Sequence, residues 1–535
     1  MAEQMFRKIA AYMPYTLILI LLTACTAGVD TETDNYISSL EANERVAEET
    51  AANDNDNALI SAAAQMPFNG EAIPRTDFFW QEERDLNWES DIRHFGVKAL
   101  RQYPLLIDFD LNNPNLVFGL ESGLFGIGRE DYDAASNVYN ILLRQAVARN
   151  GILADGSTEG MREAFREFFI QRVNELIFDI PNLSDNEILF GLAALAVSMD
   201  DAHTRVGLPT GDIFPVEFIS LHDGIYFIGV PIELEHALYG ELVAINGIAA
   251  DEIVERLGTI VAHGNEYYLR HIITSSVEDD PIRLRHYVTR PFLREVVTLN
   301  YLSVIDDSGM ADFTIRGTNG EIFDIRLQAV GRETIMGENQ FVRHEFSTLM
   351  HTNPEEILWY EYFPDENLMY VRITGFHYAV AGDLAAARSR LMTELENWSG
   401  ERIGRFVIDL RQNAGGLFEW PTDSEFGVLS EAADSFYVLI DAGVFSLGVL
   451  TTSNIRRNLE NVTVVGEPAG DMDNMMAGDG SILPNSRMRY NIAQRLLVGS
   501  DSEDVAVRPD IFVPLSIDDI INGRDPVIEA VKETR

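Results

Sequence analysis

Two apolar runs, each ending in a turn of small and polar residues, constrain this chain more than any other feature. Residues 405–416 read RFVIDLRQNAGG, a short buried strand breaking into a turn that closes on Gly415 and Gly416. Residues 437–447 read YVLIDAGVFSL, a second buried strand whose turn leaves Ser446 at the start of a helix. Open α/β sheets carry their chemistry where strand ends meet helix starts. A serine there, beside a Gly-Gly backbone, has the parts of a nucleophile and an oxyanion hole. Taken singly, Ser446 reads more readily as a helix cap, and the glycine pair equally well as an ordinary turn. Asp409 and Arg411 at the strand end read as a structural ion pair.

The same alternation extends around these runs. Strands are expected at residues 369–373, 406–410, 436–440 and 462–465, with helices over 383–398 and 445–457. Strands alternating with helices argue for an α/β fold with a mainly parallel sheet covered on both faces. Upstream, residues 78–205 carry helical periodicity. Ser184-Asp185-Asn186-Glu187 is a capping box, and the helix after it should stop near Asp200. It thereby presents Asp201-Ala202-His203-Thr204 at its C-terminal end. From residue 214 the period shortens to that of strands, with a tight turn at Asp223-Gly224. Two strands, a third ending in Ile245-Asn246-Gly247, then a helix, resemble a PDZ-like module; a β-rich connector without a ligand is the alternative.

The N-terminus reads as an address. Arg7 and Lys8 precede the apolar run 10–22, too short to span a membrane. The run ends in Leu22-Thr23-Ala24-Cys25, and Cys25 is the only cysteine. This resembles a bacterial lipoprotein signal with Cys25 as the lipidation site. Acidic, aromatic-poor residues follow and read as a disordered tether. The expected division is 1–24 signal peptide, 25–75 acidic tether, 76–207 helical domain, 208–357 β-rich PDZ-like or connector region and 358–535 α/β core. The expected location is a bacterial cell surface or periplasm, on the membrane through a lipid anchor. A formal charge of −45 argues against nucleic acid, which is bound through Lys and Arg on phosphates.

The base for a serine nucleophile can be narrowed by composition. The three lysines are Lys8, Lys98 and Lys532, none attractively placed for a Ser-Lys dyad. Histidine is the remaining usual base. His203 is the best placed, in a polar turn with Asp201 beside it, and His377 is second. Glu467 and Glu503 are candidates for the acid that orients it. Scattered histidines and the absence of HExxH or a cysteine pair leave no expected metal site or cofactor.

Taken together, the motifs resemble one family. Residues 405–416, 443–447, 464–470, Leu483-Pro484-Asn485-Ser486, 507–513 and 523–531 occur in the order seen in the tail-specific, or carboxyl-terminal-processing, serine peptidases. Asp201-Ala202-His203-Thr204 resembles the Asp-Gly-His-Thr signature of the branch related to the tricorn core protease and the interphotoreceptor retinoid-binding protein. The resemblance implies a crotonase- or ClpP-like core and a protein or peptide substrate. It implies Ser446 as nucleophile, His203 as base, Glu503 as acid, and amides of Gly416 (or Gly415) and Leu447 as the oxyanion hole. Ser486 is a weak match to the second serine of a tetrad. Asp471 occupies the place where another branch of the family has its dyad lysine, in agreement with the lack of a suitable lysine, and two departures stand out: Leu447 follows the serine where a small residue is usual, and Ala414 replaces a glycine. A catalytically degenerate protein that binds a peptide or an apolar ligand is the alternative reading.

Overall fold

The structure, a computed structural model, describes residues 81–109, 117–119, 132–274, 291–331, 340–376, 381–400, 402–416, 420–498, 504 and 506–534, all within the compact unit Pro67–Arg535. The signal, Cys25 and the tether lie outside the described residues, as do His377 and Glu503. Among the described residues no helix is long and apolar enough to cross a membrane.

A six-stranded sheet carries the core. Its order in space is Leu358–Phe363, Leu368–Ile373, Ile403–Asp409, Ala433–Ile440, Val462–Gly466 and Ile511–Phe512. The first pair is antiparallel and the rest are parallel. Apolar residues fill the inner strands without alternation because both faces are covered. Met369, Val371, Phe406, Ile408, Phe436 and Val438 point to one face. That face packs under the helices Ala381–Glu396, Asp423–Ala432 and Leu447–Asn458. Tyr370, Val407, Tyr437 and Leu439 point to the other, where Val527, Ile528 and Val531 of the last helix close it. The period of two in these assignments is the strand repeat.

The first part of the described chain is helical: Gln81–Gln102, Tyr132–Arg149, Thr158–Asp179 and Asp185–Val197. The capping box is present, with Ser184 receiving the Glu187 amide and the Glu187 carboxylate receiving the Ser184 amide. Residues 217–343 contain an antiparallel sheet of seven strands, one end of which is the hairpin Met310–Arg316 and Ile322–Gln328.

A third, four-stranded sheet was not foreseen. Its centre is Arg489–Val498, which pairs with Met475–Ile482 in an antiparallel hairpin. It also pairs with two short segments of the helical region: Val117–Gly119 runs parallel to it and Arg205–Val206 antiparallel. Sequence patterns place these stretches in separate regions. Backbone pairing joins them, because two- and three-residue strands are too short to show a period.

Candidate active site

The helix Leu447–Asn458 begins at the end of the strand Ala433–Ile440, after a turn that three neighbours hold. Asp441 accepts the amides of Gln412 (2.8 Å) and Gly443 (3.0 Å) on Oδ1. The Phe445 amide donates to the Asn413 carbonyl (3.0 Å), and the Gly470 amide to the Val444 carbonyl (2.8 Å). Held this way, Ser446 sits at φ 53°, ψ −123°. Such a backbone costs a serine on the order of 1–3 kcal/mol, and it persists only where the surroundings impose it. Ser446 makes no capping hydrogen bond with its side chain. The simpler sequence reading, a helix cap, is therefore replaced.

The Gly415-Gly416 turn lies directly against this serine. Gly415 has φ +87°, and a Cβ there would stand 2.7 Å from the Leu447 nitrogen and 2.8 Å from the Ser446 Cβ. Its amide donates to Asn413 Oδ1 (2.9 Å), and its carbonyl receives the Phe376 amide (2.8 Å). Gly416 has φ +146° and pairs as an isolated bridge with Phe376. Among the described residues no acceptor takes the amide of Gly416 or of Leu447. Gly415 thus has its amide engaged, whereas Gly416 and Leu447 do not. Asn413, fully buried, also donates its side-chain amide to Ile373 (3.0 Å), tying three strand ends together.

His203 reaches this point from 243 residues upstream. Its Nε2 lies 2.9 Å from Ser446 Oγ. Asp201 shapes the loop: Oδ1 accepts the His203 amide (3.0 Å) and Oδ2 the Thr204 hydroxyl (2.6 Å). Thr204 Oγ1 in turn receives the Ala493 amide (3.0 Å), and the next two residues join the sheet on Arg489–Val498. The ring packs face to face on Phe445, with centroids 4.6 Å apart, and Phe445 stacks on Tyr268 at 4.3 Å.

The other sequence candidates divide. Glu467 is surrounded by Asp441, Asp223 and the Leu515 backbone, and burial pushes its carboxyl up to about 7; it is not the acid at the histidine. Among the described residues the two carboxylates beside His203 Nδ1 are Asp201, at 3.7 Å, and Asp471, at 4.0 Å. Asp471 entered the sequence reading only as a missing lysine. Ser486 turns its amide to Asp91 of the first helix (2.7 Å). Asp409 and Arg411 form the expected buried pair (2.7 Å), extended by Asp525 and by the Tyr370 hydroxyl. Lys532, in the last helix, is held by Glu366 (2.8 Å). Among the described residues no group of three or more His, Cys, Asp or Glu could hold a metal ion.

No family model and no curated protein match the chain. Solved structures are similar to it: mature CPAF (12% identity, TM-score 0.45, 74% of this chain and 96% of that one). The tricorn protease follows at 11% identity and TM-score 0.31, over 74% of this chain and 36% of that one. The photosystem II D1 C-terminal processing protease has 12% identity and TM-score 0.29, over 70% and 92%. Two of these three are proteases by name. At such identities and scores the likenesses assign no residue a role.

Proposed function

We propose that the chain is a serine endopeptidase of the tail-specific family, in its tricorn-like branch, with a crotonase- or ClpP-like core and a PDZ-like module over residues 208–357. Cys25 would carry the lipid that anchors it to a bacterial membrane, and its substrate would be a protein or peptide. The observation that carries the catalytic reading is the 2.9 Å approach of His203 Nε2 to Ser446 Oγ, across a wide sequence separation, beside two unengaged amides.

In this reading Ser446 Oγ attacks the peptide carbonyl carbon while its proton passes to His203 Nε2. The carbonyl oxygen, now an anion, is received by the amides of Gly416 and Leu447; Gly415 is unsuited because Asn413 holds its amide. Loss of one such donor typically costs 10²–10³-fold in rate. His203 then protonates the leaving amine as the C–N bond breaks. Water, deprotonated by the same nitrogen, hydrolyses the ester and restores the serine. The bulk of Leu447 does not bear on this, since only its backbone is used.

The test is labelling by a fluorophosphonate, which forms a bond to an activated serine. Wild type should label, Ser446→Ala should not, and His203→Ala should label more slowly by about 10³-fold or more. Equal labelling of wild type and Ser446→Ala refutes the reading and leaves the ligand-binding alternative.

A further inference from the structure

Among the described residues, four buried polar atoms behind the histidine lack a hydrogen-bond partner: His203 Nδ1, Asp471 Oδ2, the Tyr268 hydroxyl and Arg205 Nη1. Buried polar groups are rarely left so, and the first two lie 4.0 Å apart. A histidine that accepts the serine proton on Nε2 must carry its other proton on Nδ1, and that proton needs an acceptor. Among the described residues two carboxylates are within 4.0 Å of Nδ1. Asp201 is already committed, since one oxygen takes the His203 amide and the other the Thr204 hydroxyl. Asp471 has one oxygen on the Met472 amide (2.9 Å) and the other unpaired. A shift of about 1 Å brings that oxygen within hydrogen-bond reach of Nδ1.

We propose that Asp471 is the positioning residue of this site, the carboxylate that fixes the His203 tautomer and supports its positive charge when the serine proton arrives. The inference rests on the peptidase reading above and replaces Glu503 as the acid. Asp471 stands where the family resemblance expects a dyad lysine. The same position then serves the base by a different route, orienting it instead of being it. The fold builds the carboxylate in rigidly. A Cβ on Gly264 would come within 2.9 Å of Asp471 Oδ1, so that backbone packs directly on it. The preceding Ala469 carbonyl receives Asn265 Nδ2 (3.2 Å), and the Val507 amide donates to the Asp471 carbonyl (3.2 Å).

The groups whose charge bears on Asp471 are His203, Asp201 and Asp473, and Asp471 in turn bears on Tyr268. Burial, with Asp201 and Asp473 adding to it, pushes its carboxyl up to about 7 against the pull of His203. The acceptor form therefore fills as pH rises through neutrality, and the labelling rate of Ser446 should rise with it.

The experiment measures fluorophosphonate labelling of the full chain from pH 5 to 9 for wild type, Asp471→Asn, Asp471→Glu and Glu503→Gln, with folding checked by thermal melting. Asp471→Asn should label on the order of 10³-fold more slowly, because the amide can offer N–H to the ring and favours the wrong tautomer. Its pH profile should also differ from that of wild type near pH 7. Asp471→Glu should recover part of the rate, and Glu503→Gln should behave as wild type. A wild-type rate and pH profile in Asp471→Asn, or a collapse in Glu503→Gln alone, overturns the proposal while leaving the peptidase reading intact. A wild type that does not label refutes the peptidase reading instead. The low-field proton resonance of His203 Nδ1–H then decides the contact: its loss in Asp471→Asn supports the pairing, and an unchanged signal overturns it.

Discussion

Phe445 shows how much of the site depends on a side chain with no chemistry of its own. Its ring lies between those of His203 and Tyr268, and its amide is pinned by Asn413. Phe445→Ala removes both stacking faces and leaves a cavity, a change that typically costs about 3–5 kcal/mol. The expected result is a lower urea midpoint together with slower labelling of Ser446. Gly415 is constrained in the opposite sense, by lack of room. With φ +87° and the Ser446–Leu447 backbone against its Cα, Gly415→Ala should destabilise the chain by about 1–3 kcal/mol. Labelling should fall by more than the change in folded population accounts for; a variant that unfolds normally and labels normally contradicts this placement of the turn.

At the scale of elements, the docking of the first helix on the hairpin is the interaction most open to test. Asp91 is fully buried and accepts the amides of Asn485 (2.8 Å) and Ser486 (2.7 Å) and the Asn485 side chain (3.0 Å). Asp91→Ala leaves these donors without an acceptor, at about 1–3 kcal/mol for each that stays buried. Because Arg489–Val498 also pairs with the segment after His203, the expected outcome is a lower melting temperature and slower labelling with Ser446 itself untouched. This joint was invisible in the sequence. Strands such as Ile403–Asp409 announce themselves through long apolar runs, and the Ser184 box through a fixed four-residue spacing. Arg205–Val206 is two residues long, and its partner lies nearly 300 residues away, so neither composition nor period marks it. Ser446 and His203 were legible because their residue types and turns are distinctive and the shortage of lysine narrowed the choice. The nearness of Asp471 to the His203 ring was not, since a single aspartate in a polar loop shows in the sequence nothing of what it faces. The reassignment of Ser446 from cap to projecting side chain likewise needed a φ value, which no motif supplies.

Across the whole molecule, buried carboxyls set an unusual acid–base balance. Burial pushes Asp200 up to about 6 and both Glu467 and Asp471 up to about 7. A carboxyl raised in the folded state contributes stability below its unfolded value near 4, and that contribution is lost as pH climbs to 6–7. Asp409 works the other way. Burial opposes its charge, but Arg411 and Arg372 outweigh it and hold the carboxyl at about 2. Its contribution is full above pH 4 and disappears as pH falls toward 2. A net charge of −45 adds self-repulsion at high pH. The melting temperature should therefore peak near pH 4–5 and decline toward pH 8; a curve that rises from pH 5 to 8 contradicts the buried-carboxyl assignments. The separation of 243 residues between His203 and Ser446 has a consequence in time. At synthesis rates of roughly 5–20 residues per second, the histidine leaves the ribosome roughly 12–50 s before the serine. Arg489–Val498, the strand that anchors the segment after His203, emerges later still. Long-range pairings of this kind close late in folding. A nascent chain that has not yet made Arg489–Val498 therefore holds no assembled Ser446–His203 pair, and the geometry of the site exists only once nearly the whole chain has been synthesised.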